Sequence, residues 1–147
     1  AVGALTQRAH VGAIACITDI ISLPSEHGVF PSNAIDHPWR LATMQRCLDK
    51  GLGLMEGTYV QVLGPQYETR AEVRMHRHLG ADFIGMSTGT EIRYAANRGM
   101  KCIILSVVTN VLSDVLVSKL DHSDVVSSAY LASKRLYTVV EAAIFAA

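Results

Sequence analysis

The sequence predicts an α/β fold in which a mostly parallel, twisted sheet carries helices on both faces. Two observations predict it. Apolar runs of strand length alternate with stretches of helical periodicity along the chain. Half of the 147 residues are hydrophobic, which is enough to fill the core of one domain. We therefore expect a single domain over residues 1–147.

The first part of the chain contains a predicted strand, a loop and a helix. Residues 11–17 form an apolar run that reads as a buried strand. Residues 22–38 contain three prolines, which predicts a long loop. A helix is expected over residues 39–48, ended by the glycines that follow it. Its large apolar residues recur at helical spacing on one expected core face: Leu41, Met44 and Leu48.

Polar side chains follow the next three predicted strands. These strands are apolar runs over residues 59–63, 82–86 and 102–108. Glu68, Ser87 and Asn110 come shortly after their respective ends. In α/β sheets, ligands bind beyond the carboxyl ends of the strands. We therefore expect these three side chains to surround a small polar ligand that carries an anion.

Three helices complete the predicted order. The pairs Thr69 with Glu72 and Thr88 with Glu91 match the capping-box spacing, so each threonine is expected to begin a helix. The last helix is expected over residues 121–145. The expected core faces of the first two helices consist of Ala71, Met75 and Leu79, and of Ile92, Ala95 and Ala96. Ser87 and Thr88 would lie where a helix dipole favours an anion. The alternative, that they only cap the helix, is the commoner situation.

Composition and charge exclude several classes of protein. Basic and acidic residues balance at 13 each, so nothing predicts nucleic acid or an anionic membrane as a partner. The surplus of apolar residues favours an interface with another copy. An odd number of cysteines, with Cys16 and Cys102 in apolar runs, predicts buried free thiols and a cytoplasmic location. His76 and His78 would point to different helix faces, so we expect them on the surface and predict no metal.

Three segments carry a family resemblance. GPQYETRAE, GADFIGMST and SVVTN, in this order and at this spacing, resemble the motifs of the trimeric purine nucleoside phosphorylases. The resemblance reaches both ends of the chain, since residues 1–5 are similar to a family A-x-G-G-L segment and residues 120–125 to L-x-H-x-E-V. It implies the nucleoside phosphorylase fold and corresponds to the C-terminal part of a family subunit. The N-terminal part is expected to be missing.

The resemblance implies an activity and a set of catalytic residues. The activity is the phosphorolysis of 6-oxopurine nucleosides, such as guanosine or inosine, to the free base and ribose 1-phosphate. Inorganic phosphate is the co-substrate, and no cofactor or metal is implied. By resemblance, Asn110 bonds the purine N7 and 6-oxo group, and Glu68 accepts from N1–H. Ser87 and the backbone near Ala1 bind phosphate.

The resemblance also implies contacts to the nucleoside and an oligomer. Tyr67 would pack on the base, Tyr59 would line its pocket, and Met86 would contact the ribose. His122 would reach the sugar 5′-hydroxyl. The family is homotrimeric and lends an aromatic residue to the neighbouring subunit, for which Phe30 is the candidate here.

Departures from the family pattern leave two hypotheses. The phosphate loop, the arginine–histidine pair and the ribose tyrosine of the family's N-terminal part have no counterpart in this sequence. The family's H-I-N-L-P-G run is altered at residues 19–25. The chain is therefore expected to be either an enzyme completed by a separate N-terminal segment, or a non-catalytic relative that retains the fold for binding or assembly.

Overall fold

The structure, a computed structural model, confirms the predicted α/β class and describes residues 1–23, 31–113 and 122–147. The strands are β1 (Val2–Ala4), β2 (Ile14–Ser22), β3 (Met55–Gln61), β4 (Phe83–Gly85) and β5 (Leu105–Val111). The helices are α1 (His37–Asp49), α2 (Arg70–His78), α3 (Gly89–Ala96), α4 (His122–Leu131) and α5 (Ser133–Ile144).

The sheet closes on itself in the order β1-β4-β3-β2-β5. β2, β3 and β4 are parallel, and β1 and β5 are parallel to each other. The two groups meet in the antiparallel pairs β1–β4 and β2–β5. The carboxyl end of β5 therefore lies opposite to those of β3 and β4. The expectation that all three strands end at one edge is wrong for β5, and Asn110 lies within that strand rather than after it.

Both faces of the sheet are buried, which explains why its strands are nearly continuous apolar runs. Tyr59 and Phe83 belong to one core cluster, with Val2 and Val108 among others. Their chain neighbours point the other way and join a second cluster with α2, because side chains alternate along a strand. That cluster contains Leu5, Val60, Val73, Ala81, Ile84 and Leu112.

Helix α1 packs on α5, but not through the predicted face. Leu41 and Leu48 are 56% and 63% exposed, whereas Arg40, Thr43 and Cys47 are buried. Arg40 is buried because its guanidinium forms an ion pair with Glu56 of β3. The predicted apolar face of this helix is therefore wrong.

Other contacts hold α1 against α5 and fix its start. The Trp39 indole N–H donates to the carbonyl of Ala143 at 2.8 Å. Helix α1 begins two residues earlier than predicted, where Asp36 caps the Trp39 amide. Pro38 fits in the first turn because its missing N–H would have no helical partner there.

Helix α2 confirms one prediction and contradicts two. The Thr69–Glu72 capping box is present, and it lowers the pKa of Glu72 through hydrogen bonds from Thr69. The expected face is wrong, because Met75 and Leu79 are exposed while Val73 and His76 are buried. The expectation of a surface His76 is also wrong, since that side chain is only 3% exposed. Its Nδ1 atom has no hydrogen-bond partner.

The remaining predictions have mixed outcomes. The single helix expected over residues 121–145 is two helices, separated at Ala132. Cys16 is buried as expected, whereas Cys102 is partly exposed. Among the residues that the structure describes, no helix has the length and apolar character needed to cross a membrane. The same residues contain no cluster of three metal-ligating side chains.

Candidate functional site

Asn110 lies within β5, beside β1, and not beyond the end of a strand. It pairs with Gly3, and Gly3 pairs with Ile84 of β4 on its other side. A Cβ atom on Gly3 would lie 3.1 Å from Asn110 Nδ2, so the missing side chain is what leaves room for the amide. Asn110 is partly exposed, and its Oδ1 atom lies 3.1 Å from the Thr109 hydroxyl, which can donate to it. The amide therefore has a neighbour that can fix its orientation.

Ser87, Thr88 and Gly89 form a tight turn between β4 and α3. The Gly89 amide donates to the Ser87 carbonyl, and Thr88 between them has φ 53° and ψ −53°. This is a γ-turn of the rare, strained kind. The predicted Thr88 capping box is absent, because the Thr88 side chain makes no cap hydrogen bond. Ser87 itself is exposed at the start of α3, as an anion ligand must be.

A partly buried polar network supports this turn, and Gln61 at its centre was not predicted. Gln61 Oε1 accepts from the Gly89 amide at 2.9 Å and from the Tyr59 hydroxyl at 3.0 Å. Its Nε2 atom donates to the Val62 carbonyl at 2.8 Å. A lone glutamine at the end of a strand gives no sequence signal for such a role. The glycine at position 89 is the one related sequence feature, because it leaves the space that Gln61 occupies. A Cβ atom on Gly89 would lie 2.7 Å from Gln61 Oε1.

Tyr59 lies in the core and is completely buried. Burial raises the pKa of Tyr59 to about 12, and hydrogen bonds with Thr88 and the Ser87 backbone oppose that rise. Its hydroxyl passes close to β4, because a Cβ atom on Gly85 would come within 2.8 Å of it. The structure thus places Tyr59 beneath the Ser87 turn. The prediction that it lines a base pocket stays a prediction.

Met86 and Glu68 lie on the α2 side of the sheet end. The Met86 sulfur packs against Gly64, where a Cβ atom would come within 2.5 Å of it. Glu68 is partly buried just before α2, and burial is the main cause that raises its pKa. The charge of His76 opposes that rise, so the buried histidine lies within electrostatic reach of this carboxyl group. Tyr67 is 42% exposed and therefore available to a ligand rather than packed in the core.

Three other predicted site residues have little or no described surroundings. Ala1 is exposed and precedes β1, whose start lies beside the carboxyl end of β4 because the two strands are antiparallel. Ala1 is therefore on the same side as Ser87. Helix α4 begins at His122, but the side chain of that residue is outside the described part of the chain, and so is Phe30.

Two cavities among the described residues lie elsewhere. One, of about 420 Å³, is lined mainly by the 31–38 segment and the residues after α3, including Asp36, His37 and Lys101. The other, of about 120 Å³, adjoins it beside Asp19. None of the predicted site residues lines either cavity. The described residues place Ala1, Ser87 and Asn110 around the β1–β4 pair.

Comparisons with known proteins show what this chain is similar to. The family model described as the phosphorylase superfamily matches residues 1–144. A Schistosoma purine nucleoside phosphorylase solved with hypoxanthine superposes with a TM-score of 0.87 and 29% identity, over 98% of this chain and 59% of that chain. The Schistosoma mansoni enzyme solved with inosine gives the same TM-score at 28% identity, over 98% and 58% of the two chains.

Curated relatives carry the same description. The purine nucleoside phosphorylase of Mycobacterium leprae is 33% identical over 138 residues, which is 92% of this chain and 52% of the relative. That of Cellulomonas sp is 35% identical, over 91% of this chain and 48% of the relative. The chain spans about half the length of these relatives.

Proposed function

This chain belongs to the phosphorylase superfamily, and from that premise we propose that it carries the base-recognition part of a purine nucleoside phosphorylase site. The proposed reaction is phosphorolysis of a 6-oxopurine nucleoside. A phosphate oxygen forms a bond to C1′ of the ribose while the bond from C1′ to N9 of the purine breaks. The bonding electrons leave with the purine, which takes up a proton at N7, and ribose 1-phosphate is the second product.

Asn110 and Glu68 are the proposed catalytic residues because they face the charge that develops on the leaving purine. An amide offers both a donor and an acceptor, so Asn110 can serve N7 and the 6-oxo group together. Held by Thr109, it would be oriented before the reaction, which is the condition for selective stabilisation of a transition state. Ionised Glu68 accepts only, so it suits the N1–H group.

Ser87 and the backbone near Ala1 are the proposed phosphate ligands. Ser87 is exposed at the start of α3, where the dipole favours negative charge. Ala1 lies on the same side because β1 and β4 are antiparallel. No metal enters this proposal, and inorganic phosphate is the second substrate. Met86, Tyr67 and His122 are proposed to contact the ribose, the base and the 5′-hydroxyl.

The observation that carries the proposal is that Gly3 pairs with Asn110 on one side and with Ile84 on the other. Ile84 is three residues before Ser87, so these pairings bring the Asn110 and Ser87 segments to the two sides of β1. Calorimetric titration of the purified chain with hypoxanthine tests it. Removing the amide in Asn110→Ala should weaken binding by roughly 10- to 100-fold, the usual effect of losing a buried hydrogen-bonding group. Glu68→Gln should have a comparable effect, since a neutral amide oxygen accepts from N1–H more weakly than a charged carboxylate does.

Matched controls separate these effects from general damage. Asn97, at the end of α3, and Glu141, in a partly exposed pair with Lys50, are an amide and a carboxylate away from the site. Asn97→Ala and Glu141→Gln should leave hypoxanthine binding unchanged. Absence of binding by the unmodified chain, or equal binding by Asn110→Ala, would contradict the proposal.

A second candidate function is binding without catalysis. It is favoured by the position of two cavities of the described residues, neither of which is lined by a predicted site residue. A phosphorolysis assay of the chain, with and without the N-terminal half of a relative added, distinguishes the two functions. Activity that requires the added half supports a divided site, whereas binding of base without turnover in either case supports the second candidate.

We also propose that the chain assembles as a homotrimer. Several large apolar side chains of α4 and α5 are exposed: Tyr130, Leu131, Tyr137, Ile144 and Phe145. Exposed apolar surface of this kind is typical of an interface. Sedimentation velocity at micromolar concentration should give a trimer, and a stable monomer would contradict this part of the proposal.

A further inference from the structure

We propose that Gln61 is a positioning residue for the phosphate site, because its side-chain oxygen keeps the Ser87–Thr88–Gly89 turn in its strained form. The inference deepens the proposed function, on which it rests, by assigning a role to a residue outside the predicted set. Gln61 is the last residue of β3 and pairs with Gly85 of β4. It therefore lies directly beside the strand that leads into the turn.

The turn needs a support of this kind. A non-glycine residue at positive φ in a strained turn is unfavourable and persists only where the surroundings over-determine it. Thr88 gains nothing from a cap, since its side chain makes no cap hydrogen bond. The support comes from below, where Gln61 Oε1 accepts from the Gly89 amide and from the buried Tyr59 hydroxyl.

The amide of Gln61 is itself fixed. Its oxygen has two donors, and its nitrogen donates to the Val62 carbonyl. An amide with partners on both its oxygen and its nitrogen has one preferred orientation, so the Gly89 amide is held in one place. Because Gly89 is the first residue of α3 and its amide also donates to the Ser87 carbonyl, fixing Gly89 also fixes the backbone from which the Ser87 side chain projects.

The space around Gly89 fits the same role. A Cβ atom there would come within 2.7 Å of Gln61 Oε1 and 2.9 Å of its Cγ atom. A larger residue at position 89 would therefore force the Gln61 side chain away from the position in which it accepts from the Gly89 amide. The glutamine and the glycine therefore form a pair, and replacing either one alone should disturb the turn.

The test measures phosphate and base binding separately. Gln61→Met keeps the side-chain length and removes the amide, so we expect it to weaken binding of inorganic phosphate by about 10- to 30-fold, as for a lost buried acceptor. Binding of hypoxanthine should change less than about twofold. The matched control is Gln45→Met. Gln45 lies on the exposed surface of α1 and its side chain donates a hydrogen bond to Asp49, so its replacement should change the affinity for neither phosphate nor hypoxanthine. A merely structural role for Gln61 would lower both affinities together.

A double-mutant cycle tests the pairing with Gly89. Gly89→Ala should weaken phosphate binding in the unmodified chain. In the Gln61→Ala background it should have little further effect, because the side-chain atoms that the new Cβ would meet are then absent. Gly53→Ala is the control, since no atom lies within 4 Å of a Cβ placed there. Additive effects of the two substitutions would overturn the inference.

Amide hydrogen exchange at Gly89 separates this inference from the proposed function. Gln61→Met should accelerate that exchange even without ligand, and an unchanged rate would overturn the inference. A chain that binds neither phosphate nor hypoxanthine would instead contradict the proposed function. A chain that binds hypoxanthine but no phosphate would leave the base site standing and overturn the role of Gln61 in a phosphate site.

Discussion

Replacing Tyr59 by phenylalanine should lower the stability of the protein at neutral pH and raise it, relative to the unmodified chain, at high pH. The ring is completely buried, so phenylalanine keeps its packing and removes only the hydroxyl. That hydroxyl donates to Gln61 Oε1 at 3.0 Å. Loss of the hydroxyl, and of this bond with it, should reduce the free energy of unfolding by about 1 kcal/mol at pH 7.

The effect reverses because of the ionisation of the phenol. Burial raises the pKa of Tyr59 from 10.0 to about 12 in the folded state. The folded protein therefore keeps this proton where the unfolded chain loses it, so the stabilisation is complete below pH 10 and is lost as the pH rises towards 12. At pH 11 the unmodified chain should have lost about 1.4 kcal/mol from this group. Tyr59→Phe has no such loss, so the two stability curves should cross near pH 11.

Urea unfolding followed by the fluorescence of Trp39, the only tryptophan, measures both curves. Every other side chain is the same in the two proteins, so the difference between the curves isolates Tyr59. Tyr137→Phe is the control, because that side chain is 72% exposed and should give no crossing. A difference between unmodified and Tyr59→Phe protein that stays constant from pH 7 to about pH 11 would refute the reasoning.

Three further predictions concern the site and its neighbouring helix. Asn110→Asp should shift base preference towards 6-aminopurines by roughly 10- to 100-fold, since a carboxyl group accepts from an exocyclic amine; unchanged relative affinities for hypoxanthine and adenine would contradict the assignment. Burial raises the pKa of Glu68, so on acidification hypoxanthine binding should weaken at a higher pH than it would with an ordinary glutamate. If binding by Glu68→Gln showed the same pH dependence in titrations, Glu68 would be excluded as the group responsible. Thr69→Ala should lower the free energy of unfolding by about 1 kcal/mol through loss of the α2 cap, whereas Thr90→Ala, on an exposed position of α3, should not; equal urea midpoints would argue against the cap.

The sequence predicted what depends on neighbouring residues along the chain. The apolar runs that became β2 to β5 were recognised, although their bounds shifted by several residues. The capping box at Thr69 was also predicted, because both of its hydrogen bonds join residues three apart. The similar spacing at Thr88 failed, since the γ-turn places that side chain away from the helix start.

Features that depend on distant partners were not predicted. The buried face of α1 includes Arg40 because Glu56, sixteen residues later, provides its counter-charge. The direction of β5 depends on closure of the sheet, which no local pattern records. His76 was assigned to the surface because histidine pairs at this spacing usually are, yet α2 turns that residue inward together with Val73. In each case the contact that decides the structure is made with residues outside the local sequence segment.

The region below the Ser87 turn contains choices that stability alone does not favour. Phenylalanine at position 59 would avoid burying a hydroxyl, and an apolar residue at position 61 would avoid burying an amide, each of which is costly unless hydrogen-bonded. Glycine at position 89 loses more chain entropy on folding than alanine would in a helix. The hydrogen bonds from Tyr59 and Gly89 to Gln61 offset these costs only when all three residues are present. A group of residues that is favourable only together, placed under a strained turn at the start of a helix, indicates that the geometry of the turn is what the group maintains.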